Sequence, residues 1–171
     1  YVNIGEVNNK GIELAIGYAD QTSFGFSEGV DLIFSSYDNE VTQLASDFQV
    51  GGGFRNGNNA TRTEVGRPIS SFYGRQVIGI FQTQAEVDDS GQAGAGIGRF
   101  RYADVDGDGD VDDDDRTFIG SPHADFTYGL NLNAGFKGFD ISAFFSGSQG
   151  NDAFNVLKIY TDFPSFVDLN R

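Results

Sequence analysis

The sequence has no cysteine, no methionine and no tryptophan, and only three prolines and one histidine in 171 residues. Each absence closes off a class of protein. Without cysteine there is neither a disulfide framework nor a thiolate metal site, although compartment stays open because many envelope proteins lack disulfides. Without methionine the chain has no initiator residue, so it is expected to be a processed product or a piece of something larger. The lone histidine, His123, sits between Pro122 and Ala124 with no second histidine to share a zinc ion. It reads as a loop residue at the start of a strand. Basic residues are few as well: 11 Lys and Arg face 25 Asp and Glu, for a formal net charge of -14. Phosphate backbones are repelled by such a chain, which excludes nucleic acid as a partner. No apolar run approaches the roughly 18 residues of a transmembrane helix, a test to which alternating membrane strands are invisible.

Glycine (24) and phenylalanine (17) are abundant and helical periodicity is nearly absent, which favours strands joined by tight turns. From Asp125 to Phe136 the even positions are Phe126, Tyr128, Leu130, Leu132, Ala134 and Phe136, and the odd ones are small or polar. That is a period of two over twelve residues. A turn at Lys137-Gly138 leads into Phe139, Ile141, Ala143 and Phe145, alternating with Asp140, Ser142 and Ser146, while Phe144 breaks the polar face. An earlier pair repeats the pattern. Ile12, Leu14, Ile16 and Tyr18 are followed, after a turn near Asp20–Ser23, by Phe24, Phe26, Val30, Leu32 and Phe34, with Glu28 as the interruption. Strands of about 9 to 11 residues with one apolar and one polar face fit a membrane barrel with lipid outside and a wet lumen inside. A soluble sandwich alternates in the same way. Connection lengths shift the balance, because both hairpins close tightly whereas a long stretch separates them.

The expected fold is therefore all-β, an antiparallel transmembrane β-barrel segment with strands at about 11–19, 24–35, 125–136 and 139–147. Barrels of this kind place short turns on the periplasmic side and long loops outside. By that parity, residues 36–124 form one extracellular excursion. Within it, 71–81 is β-prone and is expected as a strand of the loop layer, with a fifth spanning strand as the competing count.

The most specific chemistry lies in the stretch 104–115, where eight of twelve residues are aspartate. Asp104, Asp106 and Asp108 at positions 1, 3 and 5, with Gly109 at position 6 and Val111 at position 8, match a calcium-loop pattern. Alternate carboxylates converge on one hard cation while Gly109 permits the sharp turn. Asp110 is expected to offer its backbone carbonyl, Asp112 to bind directly or through water, and Asp115 to close the shell. Calcium is the expected ion, since so many like charges otherwise repel one another. The twelfth position is Asp rather than Glu, and no helical pattern flanks the loop, so it is not an EF-hand. The glycine-rich runs 51–53 and 91–98 lack a phosphate-loop signature and read as loop tips. No nucleophile and base pair stands out, and no enzymatic activity is expected.

Five segments in order resemble the SusC/RagA family of TonB-linked outer-membrane proteins: 3–14 (NIGEVNNKGIEL), 63–74 (TEVGRPISSFYG), 77–81 (VIGIF), 98–109 (GRFRYADVDGDG) and 113–122 (DDDRTFIGSP). The resemblance implies a 22-stranded barrel plugged by an N-terminal domain, energised through the TonB system and lidded by a SusD-like surface lipoprotein. It implies oligosaccharide or peptide as cargo. The plug, the TonB-contacting segment and the C-terminal strand are expected outside these residues. The excursion is expected to meet the lid lipoprotein through Phe72, Tyr73 and Phe81. The alternative from another class is a secreted calcium-binding β-module for adhesion or recognition.

Overall fold

The computed structural model describes residues 5–54 and 58–158; the first two residues of the 3–14 segment, Asn3 and Ile4, lie outside them. In chain order the elements are β1 (Gly5–Gln21), β2 (Phe26–Leu44), β3 (Phe48–Phe54), β4 (Asn58–Glu64), β5 (Ser71–Arg75), β6 (Val77–Ile80) and α1 (Gln84–Asp88), then β7 (Gly91–Gln92), β8 (Phe100–Tyr102), β9 (Asp110–Val111), β10 (Arg116–Gly120), β11 (Phe126–Phe136) and β12 (Phe139–Gln149). Four of them build a wall in the order β1-β2-β11-β12, antiparallel throughout.

The wall register brings the sequence alternation into one continuous surface. Leu14 lies opposite Phe34, Ile16 opposite Leu32 and Tyr18 opposite Val30; Leu32 in turn faces Leu130, and Leu130 faces Phe145. This face is left bare, with Ile12 72% exposed, Ile141 70% and Phe139 82%. A soluble domain does not expose so large an apolar sheet face. Aromatic rings mark both ends of it. Phe34 stacks on Phe126 with centroids 5.6 Å apart at one end, and Phe24 meets Phe136 edge-on at 6.5 Å at the other, where the Lys137 ammonium also covers Phe136. Ten residues separate Phe126 from Phe136. At about 3.3 Å per residue and a tilt of about 45°, that spacing corresponds to roughly 23 Å of membrane, close to the apolar band of outer-membrane barrels.

On the opposite face, glycines are covered by side chains of the adjoining strand. The carboxylate of Asp31 lies over Gly17, Asp140 and Ser27 lie over Gly135, and the Phe144 ring lies over Gly129. The last contact explains why an aromatic ring interrupts a polar face. At the tight end, Lys137 (φ 51°) and Gly138 (φ 86°) both take the left-handed conformation that a two-residue hairpin requires, and only the glycine does so without steric cost.

β2 runs past the expected boundary at Ser36 to Leu44, so the excursion begins after Leu44. β11 pairs with β2 only as far as Ser35, and beyond it β1 and β2 continue as a two-stranded ribbon. At Val41 the ribbon bulges, with Thr42 as the extra residue. Val41, fully buried, exchanges backbone bonds with Gly66 (2.8 Å) and Arg67 (2.9 Å). Buried Asn39 donates to Asn9 Oδ1 at 2.6 Å and accepts from the Ile69 N–H at 2.8 Å. His123 contacts the Ile69 carbonyl through Nε2 at 2.9 Å and meets the Tyr37 ring edge-on. These contacts seat the excursion on the ribbon. Asn39→Ala leaves the Ile69 N–H without its acceptor and is expected to loosen residues 65–71 by about 1–3 kcal/mol, read as faster amide exchange there. Unchanged protection at Ile69 would count against this anchor.

The excursion contains a second four-stranded sheet, in the order β10-β5-β4-β3, and two smaller pairs, β6-β8 and β7-β9. β5 and β6 carry residues 71–80 and neither joins the wall sheet. Gly51 and Gly53 pair within β3 and β4 rather than forming a loop tip.

Candidate functional site

The acidic loop closes on itself through its own backbone. Asp104 accepts from the Gly107 N–H (2.6 Å) and the Gly109 N–H (3.0 Å), Asp106 from Asp108 (3.2 Å), Asp108 from Asp110 (2.8 Å) and Asp112 from Asp114 (2.8 Å). Short aspartate side chains form such turns readily, and Gly109 (φ 96°) supplies the left-handed bend. The structure brings together Asp104, Asp106 and Asp108, each presenting a carboxylate oxygen within 4.8 Å of the others, and all three are exposed.

Asp110, Asp112 and Asp115 contribute no carboxylate oxygen to that group, the contribution expected of Asp110 being its backbone carbonyl instead. Asp110 lies in β9 beside Gly91, and Asp112 accepts from the Asp114 N–H. Asp115 points inward at 1% exposure and accepts from the Val105 N–H at 2.6 Å and the Asp112 N–H at 2.8 Å. Its role is to latch the two ends of the loop, a departure from the expected ligand closing the shell. These N–H bonds, Val105 first, hold its carboxyl below the ordinary carboxylate range. Asp106 is displaced the other way. The Asp108 N–H favours its charged form, but loss of water and the carboxylates of Asp108, Asp115 and Asp104 together outweigh that bond and raise its proton affinity.

Three devices fix the loop to its surroundings. Gly91 pairs in parallel with Asp110 so closely that a side chain at Gly91 would collide with the Gly109 carbonyl. The Gln92 amide then bonds both the Phe100 carbonyl and the Tyr102 N–H at 2.9 Å, acting as a substitute strand along β8. Arg75 reaches from β5 to the Asp112 carbonyl (2.9 Å) and to Asp113 (3.2 Å). Gly91 is thus a packing position, whereas the sequence suggested a loop tip. The helix α1 was not anticipated, although Thr83 and Glu86 form a complete capping box that was legible as Thr-x-x-Glu.

Phe81, expected at a partner surface, is fully buried, with its backbone paired to Arg99 and Gly98. Phe72 and Tyr73 are half-buried in β5. Around Tyr73 lies a group of guanidinium and aromatic contacts: Arg62 lies 4.7 Å and Arg116 5.2 Å from its ring, Phe118 meets it edge-on, and Arg62 also covers Phe48 at 4.0 Å. Arg62 Nε lies 2.9 Å from the Glu64 carboxylate without the alignment of a hydrogen bond. The ladder between β4 and β5 holds only at Thr61–Phe72 and Arg62–Ser71 and then splays, opening a cleft of about 640 Å³ bordered by Arg75, Arg116, Asp113, Asp152, Phe72 and Phe154.

A bare greasy sheet face, aromatic rings at its two ends and a folded excursion at one end define a wall segment of an outer-membrane β-barrel. Known proteins agree. The chain is 31% identical over 159 residues to TonB-dependent receptor P26 of Formosa agariphila and 33% identical over 168 residues to TonB-dependent receptor P3 of the same organism, alignments that cover 90% and 92% of this chain. It spans 16% of the length of each. Its fold matches the RagAB peptide transporter with a TM-score of 0.62 at 21% identity, over 86% of this chain and 15% of that one. It also matches the RagAB peptide importer in its open-open state, with a TM-score of 0.63 at 22% identity over the same shares. No protein-family model matches the sequence. Over nearly its whole length the chain is thus similar to one stretch of TonB-dependent receptors, and its fold is that of a stretch of outer-membrane barrel wall with its loop layer.

Proposed function

We propose that this chain is part of a TonB-dependent importer that takes up oligosaccharides or peptides together with a SusD-like surface lipoprotein. The observation that carries the reading is the pairing of a lipid-exposed wall with a folded excursion docked at one end of it, the end opposite the tight turn at Lys137-Gly138. On this reading the turn faces the periplasm and the excursion faces outward, where Phe72 and Tyr73 offer half-buried rings to the lipoprotein. Cargo enters under that lid, and energy comes from TonB through parts of the protein beyond this stretch. The test is loss of growth on the cargo after deletion of the intact gene, together with co-purification of a lipoprotein with the intact protein. Normal growth on every oligosaccharide and peptide source would sink it.

Calcium belongs to the same proposal, held among Asp104, Asp106 and Asp108. Three oxygens within 4.8 Å suit a cation that binds oxygen at about 2.3–2.6 Å. Asp106→Asn separates the two consequences of that arrangement. Without divalent ions it removes a repelled charge while keeping an acceptor for the Asp108 N–H, so amide protection in 104–115 is expected to rise. With calcium it removes a ligand, so affinity measured by calorimetry on the intact protein is expected to fall about tenfold or more. Equal calcium affinity in the variant would remove the metal from this account.

A further inference from the structure

Within a chain of net charge -14, the β10-β5-β4-β3 sheet concentrates positive charge. Arg62, Arg67, Arg75 and Arg116 all sit in or beside it, and among the described residues the carboxylates that pair with them are Glu64 and Asp113. Arg75 and Arg116 stand directly opposite each other across the β5-β10 pair. Like charges in that relation repel, and the Asp113 carboxylate reaches only Arg75. Arg116 donates to the Asn59 carbonyl at 3.3 Å, lies against the Tyr73 ring, and has no carboxylate partner among the described residues. It is partly buried, so water compensates its charge incompletely.

This guanidinium borders the cleft between the splayed strands. On one side run Asn59 and Ala60 of β4, on the other Tyr73 and Gly74 of β5, past the point where their ladder stops. Strand edges that have left their partner present the N–H and C=O groups that a further extended chain uses. Phe72 and Phe154, with ring centroids 6.4 Å apart, add an apolar wall. At about 640 Å³ the cleft is in the size range of small-ligand sites.

We propose that this cleft binds the C-terminal end of a short peptide, with the terminal carboxylate on Arg116, the backbone between β4 and β5, and an apolar side chain against Phe72 and Phe154. The inference rests on the import reading and names the cargo class for it. A carboxylate placed there forms a charge-assisted bond with the Arg116 guanidinium and relieves its repulsion with Arg75. A saccharide acid could also satisfy Arg116, but its hydroxyls do not repeat at the spacing of a strand edge as an extended backbone does, which is why the peptide is preferred. Asp113 is 91% exposed and competes from the rim for the same cationic pair.

The test uses the intact receptor in detergent and an acetylated octapeptide of alternating serine and leucine, made with a free or an amidated C terminus. The free acid is expected to bind about tenfold more tightly than the amide. Arg116→Gln keeps a donor for the Asn59 carbonyl and is expected to bring the ratio near one, with amide affinity little changed. Asp113→Asn, at an exposed position that does not endanger folding, is expected to raise the ratio. A ratio that neither variant moves overturns the proposal. So does an oligosaccharide of uronic acids that binds through Arg116 when neither peptide binds. Uptake of the labelled peptides by cells with and without TonB is scored separately: absence of TonB-dependent uptake of any cargo sinks the import reading, while the binding ratio judges the cleft on its own.

Discussion

An arginine at Leu132 is expected to destabilise the intact barrel by about 2–4 kcal/mol, whereas an arginine at Asn131, one residue away, is expected to cost under about 1 kcal/mol. The contrast follows from the period of two. Leu132 lies opposite Val30 on one side and Ala143 on the other, within the bare apolar face and about midway between the aromatic rings at Phe126 and Phe136. A guanidinium there meets hydrocarbon, where neither water nor a counter-charge relieves it. Asn131 points to the other face, where its amide meets Asp31 at 3.4 Å, so an arginine in its place gains a carboxylate neighbour and stays wet. Denaturant unfolding of the intact protein in vesicles, scored by heat-dependent gel mobility, measures both. Equal costs at the two sites, or the larger cost at Asn131, would mean that the apolar face does not meet lipid.

That contrast is readable in the sequence, because in the wall one physical rule, apolar toward lipid and polar toward the lumen, governs all but a few residues such as Glu28 and Phe144. The rule fails where β2 leaves the membrane. Asp38, Asn39, Glu40, Thr42 and Gln43 are polar on both faces, so periodicity ends at Ser36 while the strand continues to Leu44. What sustains it there is pairing with β1 and docking at Val41, both long-range relations. The parallel bridge at Gly91 is hidden for the same reason: nothing local distinguishes a glycine needed for close backbone approach from a glycine in a mobile tip. Phe81 shows the corresponding limit for surfaces. Its residue type suits a partner interface and a small core equally, and only the long-range backbone pairing with Arg99 and Gly98 decides.

The acidic loop was legible in one respect and opaque in another. Spacing of two residues placed Asp104, Asp106 and Asp108 on one side of a turn-rich loop, because each short carboxylate takes the N–H two or more residues ahead. The inward rotation of Asp115 was not legible. A calcium-loop pattern counts positions along the chain, and it does not say whether the last carboxylate turns toward an ion or toward the orphan N–H groups of Val105 and Asp112.

Asp115→Ala is therefore expected to open the loop, raising amide exchange at Val105 and Asp112 by about tenfold to a hundredfold, whereas Asp115→Asn, which keeps one acceptor, gives a smaller effect. The pH dependence has two parts of opposite sign. Asp115 has a folded pKa below its unfolded value, so its contribution is present above the usual carboxylate range and disappears as pH falls through the depressed value. Asp106 has a raised pKa, so its repulsion is absent in acid and sets in as pH rises through that raised value. Protection of the loop is then greatest in mild acid, above the Asp115 transition and below the Asp106 one, when divalent ions are removed. Saturating calcium neutralises the Asp106 repulsion and is expected to extend that protection to neutral pH. Hydrogen exchange across this range, with and without calcium, distinguishes the two carboxylates. If protection instead falls steadily from neutral pH into acid without calcium, Asp106 carries no repulsion, and the acidic loop is held by Asp115 alone.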